Sequence, residues 1–400
     1  MKIDPVFHPA FEVIERIEQA GGEAFVVGGS VRDFISGRPI GDIDIATSEP
    51  PQRIQEIFDK VIPVGIEHGT VIVRHQSVSY EVTTYRTEKG YEDYRHPDEV
   101  TFVRDIAIDL ARRDFTMNAI AMDRCGNFID PYEGRIAIQN KTIEAVGDPF
   151  HRFREDPLRM MRAIRFSSQL SFTLDASTKE ALDAESALLA YISIERIAVE
   201  VQKMYAGKGF RNGLELLTET RLHHQLPIIN QFDLSELAPS VPLQHWHELL
   251  AYFITLDEKL SLDHFVKRWK LSNSTKRQAG SLLKAVEAYE EHRDVTAWLV
   301  YRLPAELFDS FARLLQALGQ VEEDLKSIIE QKRKQLPVQR RKEITFQAED
   351  LIALYPDIRK GPWISKAMEQ IEYEIIKENI ENDYEKIKEW VLAWNPPVNN

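Results

Sequence analysis

Residues 39–48 read PIGDIDIATS, and two aspartates in this stretch alternate with isoleucine and alanine directly after a proline and a glycine. Such alternation is typical of a β-strand, in which successive side chains point to opposite faces. Asp42 and Asp44 therefore point the same way, whereas Ile43 and Ile45 point into a core. Two carboxylates held this close repel each other, and desolvation at a sheet edge strengthens the repulsion.

A divalent cation between the two carboxylates would remove this cost. Oxygen ligands in this arrangement suit magnesium, which binds a few carboxylates together with substrate phosphates rather than a closed protein cage. The alternative is a solvated strand end, because an isolated Asp-x-Asp is a common pattern. The motifs elsewhere in the chain bear on this choice.

Length and composition indicate a multidomain protein of the cytoplasm. A chain of 400 residues with 43% hydrophobic and 28% charged residues is typical of globular proteins with about two to four domains. Asp4 and Pro5 stand where a signal peptide needs an apolar run, and no later apolar run is long enough to span a bilayer. The single cysteine, Cys125, cannot form an internal disulfide, which suits a reducing compartment.

The net charge of −14, from 50 basic and 64 acidic residues, argues against unspecific coating of nucleic acid. Two local basic stretches remain, although such stretches are usually solvated helix faces. They contain Lys267, Arg268, Lys270, Lys276 and Arg277, and then Lys332, Arg333, Lys334, Arg340, Arg341 and Lys342.

The pattern of apolar residues predicts an α+β head followed by helices. Residues 8–20 have helical spacing and end at Gly21-Gly22, and EAFVV, DIDIAT, GTVIVRH and VSYEVTTY read as strands. After about residue 145 the patterns are helical. The charged segment TEKGYEDYRHPDEV, residues 87–100, is predicted to be a mobile loop.

Two glycines at a predicted strand-to-helix turn offer a phosphate site. In VVGGSVRD, Gly28 and Gly29 would let backbone N–H groups approach a phosphate, and Arg32 could add a charge-assisted contact. The pattern matches neither a Walker loop nor a dinucleotide fingerprint, so the signal is weak when taken alone.

Two further motifs add acids and donors. Glu81 in SYEVTTYR is a candidate third acid, as a metal ligand or general base, and the alternative is a solvent-facing strand glutamate. In RRDFTMNA, Arg113 and Asp114 place a donor beside an acceptor, a combination that can hold a triphosphate or ribose hydroxyls. A helix-surface ion pair is the alternative for that motif.

The stretch REDPLRMMRAIRF predicts a helix with Pro157 in its first turn and Asp156 as its cap. Arg159, Arg162 and Arg165 recur every three residues and line one side of this helix. The local sequence offers few acids besides Glu155 and Asp156 to pair with them. An anionic ligand is therefore expected to face this arginine stripe.

Six motifs in this order resemble the class II tRNA nucleotidyltransferases, the CCA-adding enzymes, of the bacterial poly(A) polymerase superfamily. They are GGSVRD, GDIDIAT, YEVTTYR, RRDFTMNAIAMD, DPYEGR and EDPLRMMRAIRF, within residues 25–166. The resemblance implies a small mixed-sheet head of the polymerase β-like nucleotidyltransferase fold over residues 1–145. It also implies a helical neck with a nucleobase-recognition helix (146–206), a helical body (207–290) and a helical tail that binds tRNA (291–400).

The resemblance further implies template-independent addition and repair of the 3′-terminal CCA of tRNA from CTP and ATP, with release of pyrophosphate. Asp42 and Asp44 would bind two Mg²⁺ ions, and Glu81 would assist the attacking 3′ hydroxyl. A homodimer is compatible with the family. The implied nucleotide site comprises Gly29, Arg32, Arg113, Asp114, Asp156, Arg159, Arg162 and Arg165.

Hydrogen-bond chemistry agrees with this nucleotide site. A carboxylate accepts from an exocyclic amine and an arginine donates to a ring nitrogen, a pattern shared by cytosine and adenine but reversed in guanine and uracil. An Asp156/Arg159 pair could therefore select CTP and ATP without a nucleic-acid template. In the family a flexible loop at the position of residues 87–100 is needed for the change from C to A, and its completeness favours full CCA addition.

Three alternatives stay open. A poly(A) polymerase would share the head, but it usually adds a strongly basic carboxyl-terminal extension, whereas this acidic chain ends in NPPVNN. An A-adding or CC-adding tRNA nucleotidyltransferase would differ only subtly in the head. A catalytically inactive RNA-binding module would gain nothing from acids clustered near phosphates.

Overall fold

The computed structural model describes residues 3–91, 94, 97–235, 238–321 and 325–394. The chain divides into two compact units, Met1–Ala238 and Pro239–Asn400. The terminal NPPVNN lies outside the described residues, and the predicted boundaries at residues 145, 206 and 290 stay predictions.

The first part of the amino-terminal unit alternates short helices and strands, as predicted for an α+β head. Its helices are α1 His8–Gln19, α2 Gly29–Ile35, α3 Pro51–Ile57, α4 Ile106–Ala111 and α5 Gly134–Asn140. Its strands are β1 Ala24–Val27, β2 Asp44–Thr47, β3 Val61–Gly65, β4 Thr70–His75, β5 Val78–Thr84, β6 Arg86–Lys89, β7 Glu99–Phe102, β8 Ala121–Met122, β9 Phe128–Ile129 and β10 Thr142–Ile143.

A mixed sheet in the order β3-β4-β5-β2-β1-β8-β9 forms the centre of this head. Strand β1 is buried along its whole length and pairs antiparallel with both β2 and β8. Strand β2 runs parallel to β5, and the register sets Asp44 opposite Glu81. The sheet therefore brings together two acids that are 37 positions apart in the sequence.

Strand β2 is buried on both faces, which differs from the half-buried strand that its alternation predicts. Ile45 and Ala46 point to opposite faces, yet each is only 1% exposed. Ala46 shares a core cluster with Ile106 and Leu110 of α4. This helix covers the sheet face on which Asp44 also lies, one step beyond the apolar cluster.

The predicted mobile loop over residues 87–100 is partly regular structure, so this prediction is wrong at both ends of the segment. Strands β6 and β7 pair antiparallel, with Thr87 opposite Thr101 and Glu88 opposite Val100. β-Branched cross-strand partners stabilise such a pairing. Residues 92, 93, 95 and 96 of this segment lie outside the described residues.

Helices dominate the rest of the amino-terminal unit. They are α6 Pro149–Glu155, α7 Leu158–Leu170, α8 Ala176–Ala184, α9 Ile194–Tyr205 and α10 Phe210–Glu219, and a two-residue strand, β11 Thr173–Leu174, pairs with β10. Leu158, Met161 and Ile164 of α7 are buried and form its apolar side. Because α9 and α10 both pack against α7, this helix is fixed from two sides.

The carboxyl-terminal unit consists of helices joined by loops, and its described residues contain no strand. Its helices are α11 Trp246–Leu256, α12 Leu262–Arg268, α13 Asn273–His292, α14 Ala297–Arg302, α15 Phe308–Ala317, α16 Lys326–Gln335, α17 Ala348–Leu354, α18 Pro362–Ile376 and α19 Tyr384–Trp394. In the parts of the chain that are described, no helix combines the length and the apolar character needed to cross a membrane.

We expect Gly207→Ala to lower the free energy of unfolding by about 1 to 3 kcal/mol, because the added methyl group overpacks the close contact between Gly207 and Ser168 of α7. A Cβ at Gly207 would collide with Ser168 Oγ and would lie 2.8 Å from the Ser168 carbonyl carbon. Urea unfolding measures the change. Gly41→Ala is the control, because no atom lies within 4 Å of its Cβ position; equal stability of the two variants would contradict the prediction.

Candidate functional site

A polar cleft of about 450 Å³ lies in the amino-terminal unit, between the head sheet and the helices α7 and α9. Nine of the eleven predicted site residues line it. The lining residues are Gly28, Gly29, Arg32, Asp44, Arg112, Arg113, Asp114, Asn118, Asp156, Leu158, Arg159, Arg162, Arg165, Phe166 and Arg196. Cations therefore dominate a cleft that has Asp44 at one side.

Asp44 is the acid that reaches the cleft from the sheet. Asp44 is exposed as a residue, but the surrounding protein excludes part of the water that would hydrate its carboxylate. This desolvation, followed by the charge of Glu81, raises the pKa of Asp44 from its ordinary 3.8 to about 6. Arg113 acts in the opposite direction, and Asp42 adds a smaller upward contribution. The positive charge of Arg113 is therefore too small to offset the burial and the neighbouring acids that disfavour the ionised form of Asp44.

Asp42 and Glu81 do not line the cleft. Asp42 precedes the first residue of β2 and is exposed, whereas Glu81 is an exposed residue of β5 opposite Asp44. Both raise the pKa of Asp44, so their charges lie close enough to interact with it. Tyr85 of the same motif lies beyond the end of β5 and is fully buried.

The donor set at this edge fits a hard divalent cation. Carboxylates supply the oxygen ligands that Mg²⁺ prefers, and Mg²⁺ commonly takes only one or two of them together with phosphates and water. Within the described ranges, no group of three or more His, Cys, Asp or Glu residues is arranged to hold a metal ion. The carboxylates at this edge would therefore hold such an ion only together with further oxygen ligands, such as phosphate or water.

Gly28 is the glycine that the turn requires, although the sequence prediction selected Gly29. Gly28 has φ of 77°, a conformation that residues with a side chain rarely adopt, and its Cβ would lie 3.2 Å from Arg113 Nη1. At Gly29 the nearest atom to a Cβ, Arg32 Nη2, is 3.6 Å away, an ordinary contact. Both glycines line the cleft at the start of α2, so its N–H groups are open to an anion.

Arg113 and Asp114 both line the cleft, and each has its own protein partner. Asp114 accepts from Arg162 Nε at 2.8 Å and Nη2 at 2.5 Å, and from the amide of Asn118 at 3.1 Å. Burial alone would raise the pKa of Asp114, but Arg162 and Asn118 outweigh it and lower the pKa. Asp114 is therefore held as an anion inside the cleft.

The arginine stripe of α7 has more acidic partners than the local sequence offers. Arg159 Nη1 lies 2.8 Å from Glu155 Oε2, as expected, but Arg165 Nε pairs with Glu200 of α9 at 2.6 Å. With Asp114 on Arg162, each arginine of the stripe has its own carboxylate. The acids come from elements far away in sequence, which is why the local pattern missed them.

Asp156 also has an unexpected partner. Its Oδ1 accepts from the Leu158 N–H at 3.1 Å, although α7 begins at Leu158 with Pro157 rather than Asp156 as its N-cap residue, and its Oδ2 lies 2.9 Å from Arg196 Nη2. Arg196 and Glu200 both belong to α9 and were missed by sequence reasoning. Their surroundings in IERIAVEVQ read as an ordinary amphipathic helix, so the sequence offered no local signal for them.

The arrangement can bind a polyanion beside an acidic edge. Arg32, Arg159 and Arg165 are each less than 10% exposed, and their acid partners fix their orientation before a ligand arrives. Arg32 Nη1 donates to Asn118 Oδ1 at 2.8 Å, and Arg165 stacks on the Phe166 ring with 4.0 Å between its Cζ atom and the ring centroid. Fixed donors of this kind stabilise negative charge without reorganisation.

Comparisons with known proteins agree over almost the whole chain. Family models match for the poly A polymerase head domain (residues 24–144), the probable RNA and SrmB-binding site of polymerase A (171–232) and a putative tRNA nucleotidyltransferase domain 2 (242–391). A CCA-adding enzyme of Anoxybacillus flavithermus is 41% identical, over 98% of this chain and 99% of the relative.

A second relative and a solved structure extend these matches. A CCA-adding enzyme of Oceanobacillus iheyensis is 38% identical over 99% of this chain and 100% of the relative. The crystal structure of the Bacillus stearothermophilus CCA-adding enzyme in complex with CTP superposes with a TM-score of 0.87 at 37% identity, covering 98% of each chain. The similarity therefore includes the head sheet and the helical remainder.

The raised pKa of Asp44 predicts the pH dependence of stability without metal. The folded state holds the Asp44 proton more tightly than the unfolded chain does, so the stability from this carboxyl is present below pH 3.8 and is lost as the pH rises through about 6. In chelator at pH 8, Asp44→Asn should therefore be more stable than the wild type, by about 1 kcal/mol after screening by solvent.

Calorimetric melting at pH 8 and pH 5 measures this difference, which should shrink at the lower pH. Mg²⁺ at pH 8 should raise the melting temperature of the wild type but not that of Asp44→Asn. Equal melting temperatures for both proteins at both pH values, with or without Mg²⁺, would show that Asp44 carries no unfavourable charge.

Proposed function

The chain belongs to the CCA-adding enzymes, the tRNA nucleotidyltransferases, and we propose that its polar cleft adds CMP and AMP units to the 3′ end of tRNA. CTP and ATP are the substrates, tRNA supplies the attacking 3′ hydroxyl, and pyrophosphate leaves. Full CCA addition is the activity that we propose; A-only or CC-only addition is the alternative within the family.

One observation carries this proposal: Asp44, with Glu81 opposite it, adjoins a cleft lined by Arg113 and by the arginines of α7. A triphosphate needs cations along its length, and the reacting α-phosphate needs an acidic edge that can hold a divalent ion. We propose that the triphosphate lies against Gly28, Gly29 and Arg32, near the amino-terminal end of α2.

The acidic edge has two proposed roles. Asp42 and Asp44 would hold Mg²⁺, which when bound would neutralise phosphate charge and favour ionisation of the RNA hydroxyl. Glu81 is exposed beside Asp44 and would accept the proton of the attacking hydroxyl. Arg113, whose charge already opposes the rise in the pKa of Asp44, would donate to the substrate phosphates.

We propose that Asp156 and Arg159 select the nucleobase. Each oxygen of Asp156 has one protein donor, Leu158 N–H or Arg196, and each carboxylate oxygen retains a lone pair for an exocyclic amine. Arg159 donates to Glu155 and to the Arg112 carbonyl oxygen, and its remaining N–H groups can reach a ring nitrogen. Cytosine and adenine fit this pair, whereas uracil and guanine present the reverse pattern.

The wider setting follows from the family. We propose that residues 291–400 contact tRNA, that the enzyme works in the cytoplasm and that a homodimer is its assembly. A poly(A) polymerase, which shares this head, is the competing activity, and the product length distinguishes the two.

Extension of tRNA that lacks its 3′ CCA tests the function. With Mg²⁺ and single labelled nucleotides, we expect two C residues followed by one A; a long A tract, A alone, C alone or no product would select an alternative. Asp42→Ala and Asp44→Ala should reduce incorporation by about 1,000-fold or more, because charge neutralisation at the reacting phosphate is lost. Their affinity for tRNA should stay nearly unchanged.

Asp59→Ala is the matched control, because Asp59 is an exposed residue of the same head and does not line the cleft. A parallel loss of incorporation and of tRNA affinity in Asp42→Ala or Asp44→Ala would indicate that the acid supports the fold rather than the reaction.

Asp156→Ala should lower the preference for CTP and ATP over UTP and GTP by about 10-fold or more, since one half of the base-reading pair is lost. Misincorporation of each nucleotide into tRNA measures the change, and Asp156→Asn repeats the test with the side chain nearly isosteric. Asp183→Ala, which breaks an exposed ion pair with Arg221, is the control. Unchanged nucleotide choice in both Asp156 variants would remove this residue from the recognition site.

A further inference from the structure

Asp109 is a buried carboxylate that the proposed mechanism does not use. It lies in α4, three residues before Arg112 and four before Arg113, and it is 1% exposed. A carboxylate so far from water needs several donors to stay ionised. The groups that donate hydrogen bonds to Asp109 indicate its role.

Each oxygen of Asp109 is assigned to one of the two arginines. Oδ1 accepts from Arg112 Nε at 2.9 Å and from the Arg86 N–H at 3.3 Å, and Oδ2 accepts from Arg113 Nη2 at 3.4 Å. The spacings i+3 and i+4 place both guanidinium groups over the same turn of the helix. One carboxylate thus holds two neighbouring cations together, which would otherwise repel each other.

The two arginines depend on Asp109 to different degrees. Arg112 has a second acid, because its Nη1 lies 3.3 Å from Glu88 Oε1. For Arg113, Asp109 is the carboxylate in ion-pair contact among the described residues. Arg113 Nε is buried and has no hydrogen-bond partner within the described part of the chain, so its guanidinium is incompletely satisfied by protein. Burial lowers the pKa of Arg113.

The end of α4 also anchors the nucleobase helix. The Ala111 carbonyl oxygen accepts from Arg152 at 2.6 Å, and the Arg112 carbonyl oxygen accepts from Arg159 at 3.1 Å. Helix carboxyl ends carry partial negative charge, which suits these guanidinium donors. The conformation of residues 111 and 112 therefore affects the proposed base reader Arg159 as well as the cleft cations.

We propose that Asp109 is a positioning residue for nucleotide binding, which acts mainly by aiming Arg113 at the triphosphate beside Asp44. Asp109 does not touch the substrate in this account. The inference rests on the proposed function, because Arg113 needs a triphosphate to bind. Loss of the carboxylate leaves Arg113 a buried cation without its ion-pair partner, free to turn away from the cleft.

Asp109→Asn should therefore raise the KM for CTP and for ATP by about 10- to 100-fold, which corresponds to the loss of a hydrogen bond to a charged group. The kcat should change much less, and the affinity for tRNA should stay as in the wild type. Asp105→Asn is the matched control, since Asp105 caps the same helix from an exposed position and asparagine caps as well.

A double-mutant cycle with Arg113→Met separates positioning from general support of the fold. If Asp109 acts through Arg113, the double variant should have the KM of Arg113→Met alone, within about twofold. The double variant also removes the buried cation, so it should fold even where Asp109→Asn alone is too unstable to purify.

Independent effects of the two changes on KM, or an unchanged KM in Asp109→Asn, would overturn the proposal. So would equal loss of nucleotide and tRNA affinity. Assaying the wild type for CCA addition in parallel distinguishes failure of the proposed function from failure of the role of Asp109. An inactive wild type would contradict the proposed function. An active wild type with an unaffected Asp109→Asn variant would contradict only the role of Asp109.

Discussion

The repulsion between Asp44 and Glu81 across two parallel strands is the constraint on which the site depends. The backbone register fixes this pairing, and hydrogen bonds along β2 and β5 prevent the acids from separating. Desolvation and the Glu81 charge raise the pKa of Asp44 to about 6, so a cation bound at this edge would relieve an unfavourable charge. The fold therefore keeps two mutually repelling carboxylates at the position where a cation would stabilise both.

The rest of the amino-terminal unit supplies the opposite charge in fixed orientation. Arg162 pairs with Asp114, Arg165 with Glu200, and Asp156 with Arg196. Buried ion pairs contribute little net stability, because desolvation offsets their attraction, but they hold side chains in one geometry. The cleft thus combines an acidic edge that lacks a compensating cation with arginines whose orientation is fixed by ion pairs. A metal-bound triphosphate matches both parts.

Much of this was readable from the sequence, because short motifs report local geometry. The alternation in residues 42–46 predicted a strand, which begins at Asp44 in the structure, and the spacing of Arg159, Arg162 and Arg165 predicted the helix whose arginines line the cleft. Partners distant in sequence were missed, since nothing near Glu200 or Arg196 marks them as cleft residues. The edge strand β3 and the β6–β7 pair were missed for a related reason: pairing stabilises these strands, whereas their charges or prolines suggest loops. Gly28 could be distinguished from Gly29 only by its backbone angle.

A crystal structure with Mn²⁺ and a nonhydrolysable CTP analogue would show whether the acidic edge of the sheet holds a metal ion, because anomalous scattering locates manganese directly. We expect manganese bound by the Asp44 carboxylate beside Asp42, with the triphosphate between this ion and Arg113 and the cytosine at Asp156 and Arg159. Manganese bound elsewhere in the presence of the nucleotide, or a nucleotide outside the cleft, would contradict the claim that paired acids on the sheet exist to hold a metal-bound triphosphate.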